Sequence, residues 1–141
     1  MNEGIISSTE ASSLAPVRAG INLKQRILVV NDETDARQLN VDVLVEAGYD
    51  VDAVKDGAAG WDTLQFNSYD LIITDNQMPR MTGIEMIAKL RSARMAVPVI
   101  MATRSLPAII IDHNPWLKPD ASLQPPFSND ELLATVKKVL R

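Results

Sequence analysis

Short apolar runs alternate with amphipathic stretches along the chain from Arg26 onward. This alternation is typical of βαβ units, in which helices cover both faces of a parallel sheet. Five apolar runs predict five strands, at residues 27–30, 51–54, 71–74, 97–101 and, more weakly, 122–124. Right-handed crossovers between them would place the carboxyl ends of all five strands at one edge of the sheet. The pattern therefore predicts an α/β fold with an open, parallel, five-stranded sheet.

Helical spacing of apolar residues predicts four clear helices between and after these strands. They cover about residues 34–47, 58–67, 84–91 and 129–140. In the first helix, the i, i+4, i+8 spacing of Leu39, Val43 and Ala47 predicts the face that packs on the sheet. The last helix follows Ser128, which together with Glu131 fits a capping box.

The region from residue 106 to residue 120 is irregular. Pro107 could occupy the first position of a helix, but Pro115 and Pro119 would end that helix within two or three turns. The apolar residues 109–111 and Trp116 then form either a reshaped partner surface or a loop folded over the core. Packing against the core is the simpler expectation for Trp116.

The first 24 residues show no sustained apolar period, so we expect a flexible N-terminal tail followed by one domain over residues 25–141. No segment resembles a signal peptide, and no apolar run approaches the roughly 20 residues of a membrane span. We therefore expect a cytoplasmic protein without membrane insertion. A net charge of −4 argues against direct nucleic-acid binding. The absence of cysteine excludes disulfides and thiolate chemistry.

Acidic and polar residues follow three of the predicted strands. Asn31, Asp32 and Glu33 follow the first strand, Asp75 follows the third, and Thr103 follows the fourth. Oxygen donors at one edge suit Mg²⁺, and an Asp is a recognised covalent nucleophile in phosphoryl transfer. Taken singly, Asp32 and Asp75 are more often a helix N-cap or a loop carboxylate than part of a site. The presence of both acidic motifs in one chain favours a site.

Four segments together resemble the bacterial response-regulator receiver domain of two-component signalling. They are residues 26–33 (RILVVNDE), 75–83 (DNQMPRMTG), 98–103 (PVIMAT) and 126–127 (PF). The resemblance covers residues 25–141, and the first two motifs at this separation are highly specific. It implies a flavodoxin-like (βα)5 three-layer sandwich with strand order 2-1-3-4-5.

The resemblance also implies a site and a partner. Asp75 would be phosphorylated by a histidine kinase or a phosphotransfer protein, and Thr103 would be the switch hydroxyl. Asp32, Asp75 and the backbone carbonyl of Gln77 would bind Mg²⁺, with Asn31 as a further candidate ligand.

The chain departs from the receiver pattern in its charged residues. Receivers usually place an acid where this chain has Asn31, and a lysine where it has Pro125. Arg104 stands next to Thr103, where small residues are usual, and would either supply a charge or crowd the entrance. Lys118 is a poorer substitute for the missing lysine, because it precedes the fifth strand.

The favoured hypothesis is a stand-alone receiver that signals through an unknown output protein and is not an enzyme. Aspartyl-nucleophile phosphatases place a second Asp two residues after the nucleophile, where this chain has Gln77. The alternative, motivated by Pro125, is an interaction module of receiver fold whose binding does not depend on phosphorylation.

Overall fold

The computed structural model describes residues 23–141. Its five parallel strands pair in the order β2-β1-β3-β4-β5, so the predicted fold class and strand order are confirmed. The strands are β1 (Arg26–Val30), β2 (Asp50–Val54), β3 (Leu71–Thr74), β4 (Val99–Ala102) and β5 (Ala121–Leu123). Apart from Leu23 and Lys24, the predicted tail lies outside the described residues.

Helices follow the strands in regular alternation. They are α1 (Thr34–Glu46), α2 (Gly57–Leu64), α3 (Gly83–Ser92), α4 (Ala108–His113) and α5 (Asn129–Leu140), with a 3-10 turn at Pro115–Leu117 between α4 and β5. Thr82 and Ser128 cap α3 and α5 through complete capping boxes, as the pattern at Ser128 predicted. None of the helices in the described part is long and apolar enough to cross a membrane.

The core lies on both faces of the sheet, because successive residues of a strand point to opposite sides. On one face Leu28, Val30 and Ile72 pack with residues of α2 and α3. On the other, Ile27 and Val29 pack with residues of α1 and α5. Residues 27–30 have no solvent exposure. Full burial of both faces explains why these strands read as continuous apolar runs.

The predicted buried face of α1 is wrong for two of its three residues. Leu39 is 56% exposed, and Ala47 lies beyond the helix. The residues that α1 buries are Asn40 and Leu44, with Val43 partly buried. At 3.6 residues per turn, Asn40 is rotated about 100° from Leu39, and the packing of α1 places this polar position against the sheet.

The region around α4, residues 106–120, contains both exposed and buried side chains. Pro107 precedes the helix instead of occupying its first position, and Pro115 opens the following 3-10 turn. Ile111 and Leu117 are buried in the core, whereas Trp116 is 54% exposed. The expectation that Trp116 packs on the core is therefore wrong.

Candidate functional site

Asp75 directly follows β3, and two hydrogen bonds hold it at the carboxyl edge of the sheet. Its backbone N–H donates to the carbonyl of Val30 at 3.1 Å, which ties it to the central strand β1. Its Oδ1 accepts from the N–H of Asn76 at 2.6 Å. The side chain is partly exposed, and within residues 23–141 its Oδ2 has no hydrogen-bond partner. Oδ2 is therefore available for chemistry.

The loop after Asp75 is fixed by the residue that follows it. Asn76 is buried, and its side-chain oxygen accepts from the N–H of Ile84 at 2.9 Å. Its carbonyl accepts from the N–H of Gly83, also at 2.9 Å. A Cβ at Gly83 would lie 2.2 Å from the carbonyl oxygen of Asp75, so only glycine permits this approach. The start of α3 thus supports the backbone of Asp75.

The loop after β1 contributes one buried and two exposed side chains. Asn31 is buried, and its Oδ1 accepts from the N–H of Glu33 at 2.9 Å. Arg37 donates from Nη1 to the backbone carbonyl of Asn31 at 2.8 Å. Asp32 and Glu33 are exposed to solvent. Asn31 therefore shapes this loop, while the two acids keep their charges in water.

Thr103 follows β4 and is buried. Its N–H donates to the carbonyl of Leu123 at 3.0 Å, and its Oγ1 accepts from the N–H of Ser105 at 3.2 Å. The next side chain, Arg104, is exposed. After β5, the Pro125-Pro126 peptide bond is cis.

A cavity of about 330 Å³ brings most of the predicted site residues together. Asn31, Asp75, Gln77 and Thr103 line it, and Pro125 forms part of its wall. Asp32 does not line this cavity, although it follows Asn31 in the same loop. The cavity continues toward α1 and α5, where its lining residues are Leu39, Asn40, Phe127 and Asn129.

The donor set is compatible with a hard cation that keeps several waters. Asp32 is exposed, Oδ1 of Asp75 accepts one hydrogen bond and keeps a second lone pair, and the carbonyl of Gln77 accepts no hydrogen bond from residues 23–141. The amide oxygen of Asn31 is already used by Glu33 and is the weakest candidate. The described residues contain no group of three or more His, Cys, Asp or Glu arranged to hold a metal. A site here would therefore use two carboxylates, a backbone carbonyl and water.

An ion pair beside the site was not predicted from the sequence. Asp56 is buried and caps α2 by accepting from the N–H of Ala59 at 2.8 Å, and it also pairs with Arg80 of the β3–α3 loop. The hydrogen bond from Ala59, followed by the contact with Arg80, holds the pKa of Asp56 below its usual value against the opposing effect of burial. An Asp directly before a helix was the available signal for the cap. Nothing in the sequence near Arg80 indicated that it would pair with Asp56.

Comparisons with known proteins agree with this geometry. The response regulator receiver domain family matches residues 27–137. The transcriptional regulatory protein CusR of Escherichia coli is 34% identical over 119 residues, which are 82% of this chain and 51% of that protein. DltR of Streptococcus agalactiae is 30% identical over 112 residues, which are 79% of this chain and 50% of that protein. The chain thus spans about half the length of these relatives.

Solved structures show the same relationship. The chemotaxis response regulator CheY4 of Vibrio cholerae superposes with a TM-score of 0.75 at 29% identity, covering 83% of this chain and 99% of that one. The response regulator TrrA of Thermotoga maritima, determined in complex with Mg²⁺-BeF, superposes with a TM-score of 0.72 at 32% identity, covering 82% and 98%. The chain belongs to the response regulator receiver domain family of two-component signalling.

Proposed function

We propose that this receiver is a phosphoacceptor switch in which a histidine kinase or phosphotransfer protein phosphorylates Asp75. The position of Asp75 is the observation that supports this proposal. Its Oδ1 is held by the N–H of Asn76, its Oδ2 is free among the described residues, and it faces a cavity shared with Thr103. A carboxylate with one anchored and one open oxygen is oriented for nucleophilic attack.

The transfer requires a bond between Oδ2 of Asp75 and the phosphorus of the donor. The phosphorus–nitrogen bond to the donor histidine breaks, and the electron pair stays with the imidazole, which takes up a proton. The N–H of Asn76 keeps Oδ1 in place throughout, because the buried side chain of Asn76 is itself tied to α3. Anchoring of this kind reduces the entropic part of the barrier.

The residues that would hold Mg²⁺ are Asp32, Asp75 and the backbone carbonyl of Gln77. When bound, Mg²⁺ neutralises charge on the phosphoryl oxygens. Asn31 leaves the site with one negative charge fewer than an acid would, so we expect weaker metal binding. Because TrrA was determined in complex with Mg²⁺-BeF, Mg²⁺ and beryllofluoride are suitable probes of the candidate site in this chain.

Thr103 is the proposed switch hydroxyl. It lines the cavity of Asp75, and its Oγ1 accepts from the N–H of Ser105, which leaves the hydroxyl proton to be donated to a phosphoryl oxygen. Movement of Thr103 toward that oxygen would move the loop between β4 and α4. Exposed apolar side chains lie in this loop, at Leu106, and in α4, at Ile109 and Ile110. We infer that the output is a protein contact made on this side.

The signalling role is proposed as non-enzymatic and as independent of direct nucleic-acid contact by this domain. Its net charge of −4 supports that reading, since nucleic-acid surfaces are usually basic. The names of CusR and DltR describe transcriptional regulators about twice as long as the matched region, so their activity is not carried over to this chain.

A titration with Mg²⁺ and beryllofluoride, followed by amide NMR, tests the phosphoacceptor role. We expect the signals of Asp75, Asn76 and Thr103 to shift together at millimolar concentrations. Asp75→Asn should keep the folded spectrum and lose the response. Asp62→Asn, which changes an exposed carboxylate on α2, is the matched control and should respond like wild type. A wild-type spectrum that stays unchanged would reject the proposal.

A second candidate function is binding that does not depend on phosphorylation. Pro125 lacks the charge that the receiver pattern places there, and Ile109 and Trp116 are exposed at 76% and 54%. If Asp75→Asn keeps full affinity for the output protein while Ile109→Asp abolishes it, this reading replaces the switch. Loss of binding in both variants would instead support phosphorylation-dependent output.

A further inference from the structure

Three arginines lie near the carboxyl edge of the sheet, and two of them already have partners. Arg37 donates to the carbonyl of Asn31 at 2.8 Å, and Arg80 pairs with Asp56. Arg104 is exposed, and within residues 23–141 it takes part in no ion pair or side-chain hydrogen bond. Its guanidinium is therefore available to a ligand.

The sheet register places Arg104 within reach of Asp75. Thr74 pairs with Met101 in the β3–β4 ladder, so Asp75 is level with Ala102. Arg104 is two residues further along, about 7 Å at the usual rise of a strand, and its side chain is long enough to return over that distance. Both Arg104 and Asp75 line the same cavity.

A phosphoryl group on Asp75 would need additional positive charge. A phosphoryl group carries about −1.5 to −2 charges at neutral pH, and on Asp75 it would replace the single negative charge of the free carboxylate. Asp32 and Glu33 already make the neighbouring loop acidic, and Pro125 contributes no charge to the cavity wall. Among the described residues that line this cavity, Arg104 is the single cation.

We propose that Arg104 is the counter-cation of the phosphoryl group on Asp75, taking the electrostatic role of the lysine that the receiver pattern would place at Pro125. This inference rests on the proposed phosphorylation of Asp75. Arginine suits the role because its planar guanidinium can donate two parallel hydrogen bonds to phosphate oxygens.

The proposal predicts opposite effects on a cation and an anion. Arg104 repels Mg²⁺ in the unmodified site and attracts the phosphoryl group or its analogue. Arg104→Gln should therefore leave Mg²⁺ affinity unchanged or slightly higher, while weakening beryllofluoride binding at saturating Mg²⁺. Because the guanidinium is exposed, we expect a loss of about fivefold, and a smaller loss at high salt. General damage to the site would weaken both ligands.

The experiment measures both affinities by NMR for wild type, Arg104→Gln, Arg104→Lys and Lys118→Gln. Lys118 is an exposed cation before β5 and does not line the cavity, so it is the matched control. We expect Lys118→Gln to match wild type and Arg104→Lys to retain most of the affinity.

Equal beryllofluoride affinity in wild type and Arg104→Gln would overturn the role of Arg104 while leaving phosphorylation of Asp75 intact. Parallel loss of Mg²⁺ and beryllofluoride affinity would also overturn it, since that result indicates a structural role. If wild type itself fails to bind beryllofluoride, the proposed function fails and this inference fails with it.

Discussion

Gly83 approaches the backbone of Asp75 so closely that a Cβ on Gly83 would lie 2.2 Å from the carbonyl oxygen of Asp75 and 3.1 Å from the Cα of Asn76. The N–H of Gly83 also donates to the carbonyl of Asn76 at 2.9 Å. The first residue of α3 and the candidate phosphoacceptor are therefore one packed unit. The absence of a side chain at residue 83 is a condition for the position of Asp75.

Gly83→Ala should consequently destabilise the fold and disturb the site. We expect the free energy of unfolding to fall by about 2 kcal/mol, because the backbone must move to relieve the overlap. At an open helical position the same change would increase stability by up to about 1 kcal/mol. Urea denaturation measures the difference, and Ser92→Ala at the exposed end of α3 is the control. Stability equal to or above wild type would contradict the close approach.

The ion pair of Asp56 should make part of the stability depend on pH. The pKa of Asp56 is lowered in the folded state by the hydrogen bond from Ala59 and by Arg80. A lowered folded pKa means that the carboxylate stabilises the protein above its unfolded pKa of about 3.9, and that this contribution is lost as the pH falls through the folded value. We expect Asp56→Asn to reduce the free energy of unfolding by about 1–2 kcal/mol at pH 7.

Denaturation of wild type and Asp56→Asn from pH 7 to pH 3 checks this expectation. The two curves should converge as the pH falls below about 4. Asp62→Asn, an exposed carboxylate on α2, should show no comparable convergence. A gap between wild type and Asp56→Asn that stays constant over the whole range would show that the charge of Asp56 contributes nothing.

The hydroxyl of Tyr69 should ionise at a higher pH than that of an ordinary tyrosine. Partial burial, followed by the hydrogen bond that its hydroxyl donates to Asp52 at 2.5 Å, raises its pKa to about 12. A raised folded pKa means that the stabilisation is present below the unfolded pKa of about 10 and is lost as the pH rises through the folded value. Spectroscopic titration should show a tyrosine transition near pH 12 in wild type that is absent from Tyr69→Phe. Asp52→Asn should move that transition to lower pH, and no movement would show that Asp52 is not responsible.

Asn40 offers a change that should increase stability. It is only 7% exposed, and within residues 23–141 its amide has no hydrogen-bond partner. Asn40→Leu has nearly the same shape and adds apolar surface to the wall of the cavity. We expect the free energy of unfolding to increase by about 1 kcal/mol. Asn40→Asp should lower it, because a charge would then be buried. A loss of stability in Asn40→Leu would show that the amide has a partner in the folded protein.

Much of the fold was predictable from the sequence, because a strand that is buried on both faces of a sheet appears as a continuous apolar run. The runs around Leu28 and Ile72 are continuously apolar, and this is what a central parallel strand requires. Ser128 and Glu131 likewise form a capping box within one turn of helix, and the structure contains it. The strand order followed from the receiver resemblance. The placement of all strand carboxyl ends at one edge of the sheet followed from the right-handed crossovers between parallel strands.

The tertiary structure decided what depends on partners distant in sequence. The sequence pattern of α1 does not predict that Asn40, and not the apolar Leu39 beside it, is buried. The way in which α1 packs on the sheet made Asn40 the buried residue. The pairing of Arg80 with Asp56 joins residues 24 positions apart, across two loops.

The candidate site divides in the same way. The sequence by itself supplied Asp75 at the end of an apolar strand, because a strand and the residue after it are contiguous in the chain. That Thr103, Arg104 and Pro125 line one cavity with Asp75 was decided by the sheet, since loops after neighbouring strands meet only when the strands pair. The local pattern determined which groups are present, and the tertiary structure determined which groups can act together.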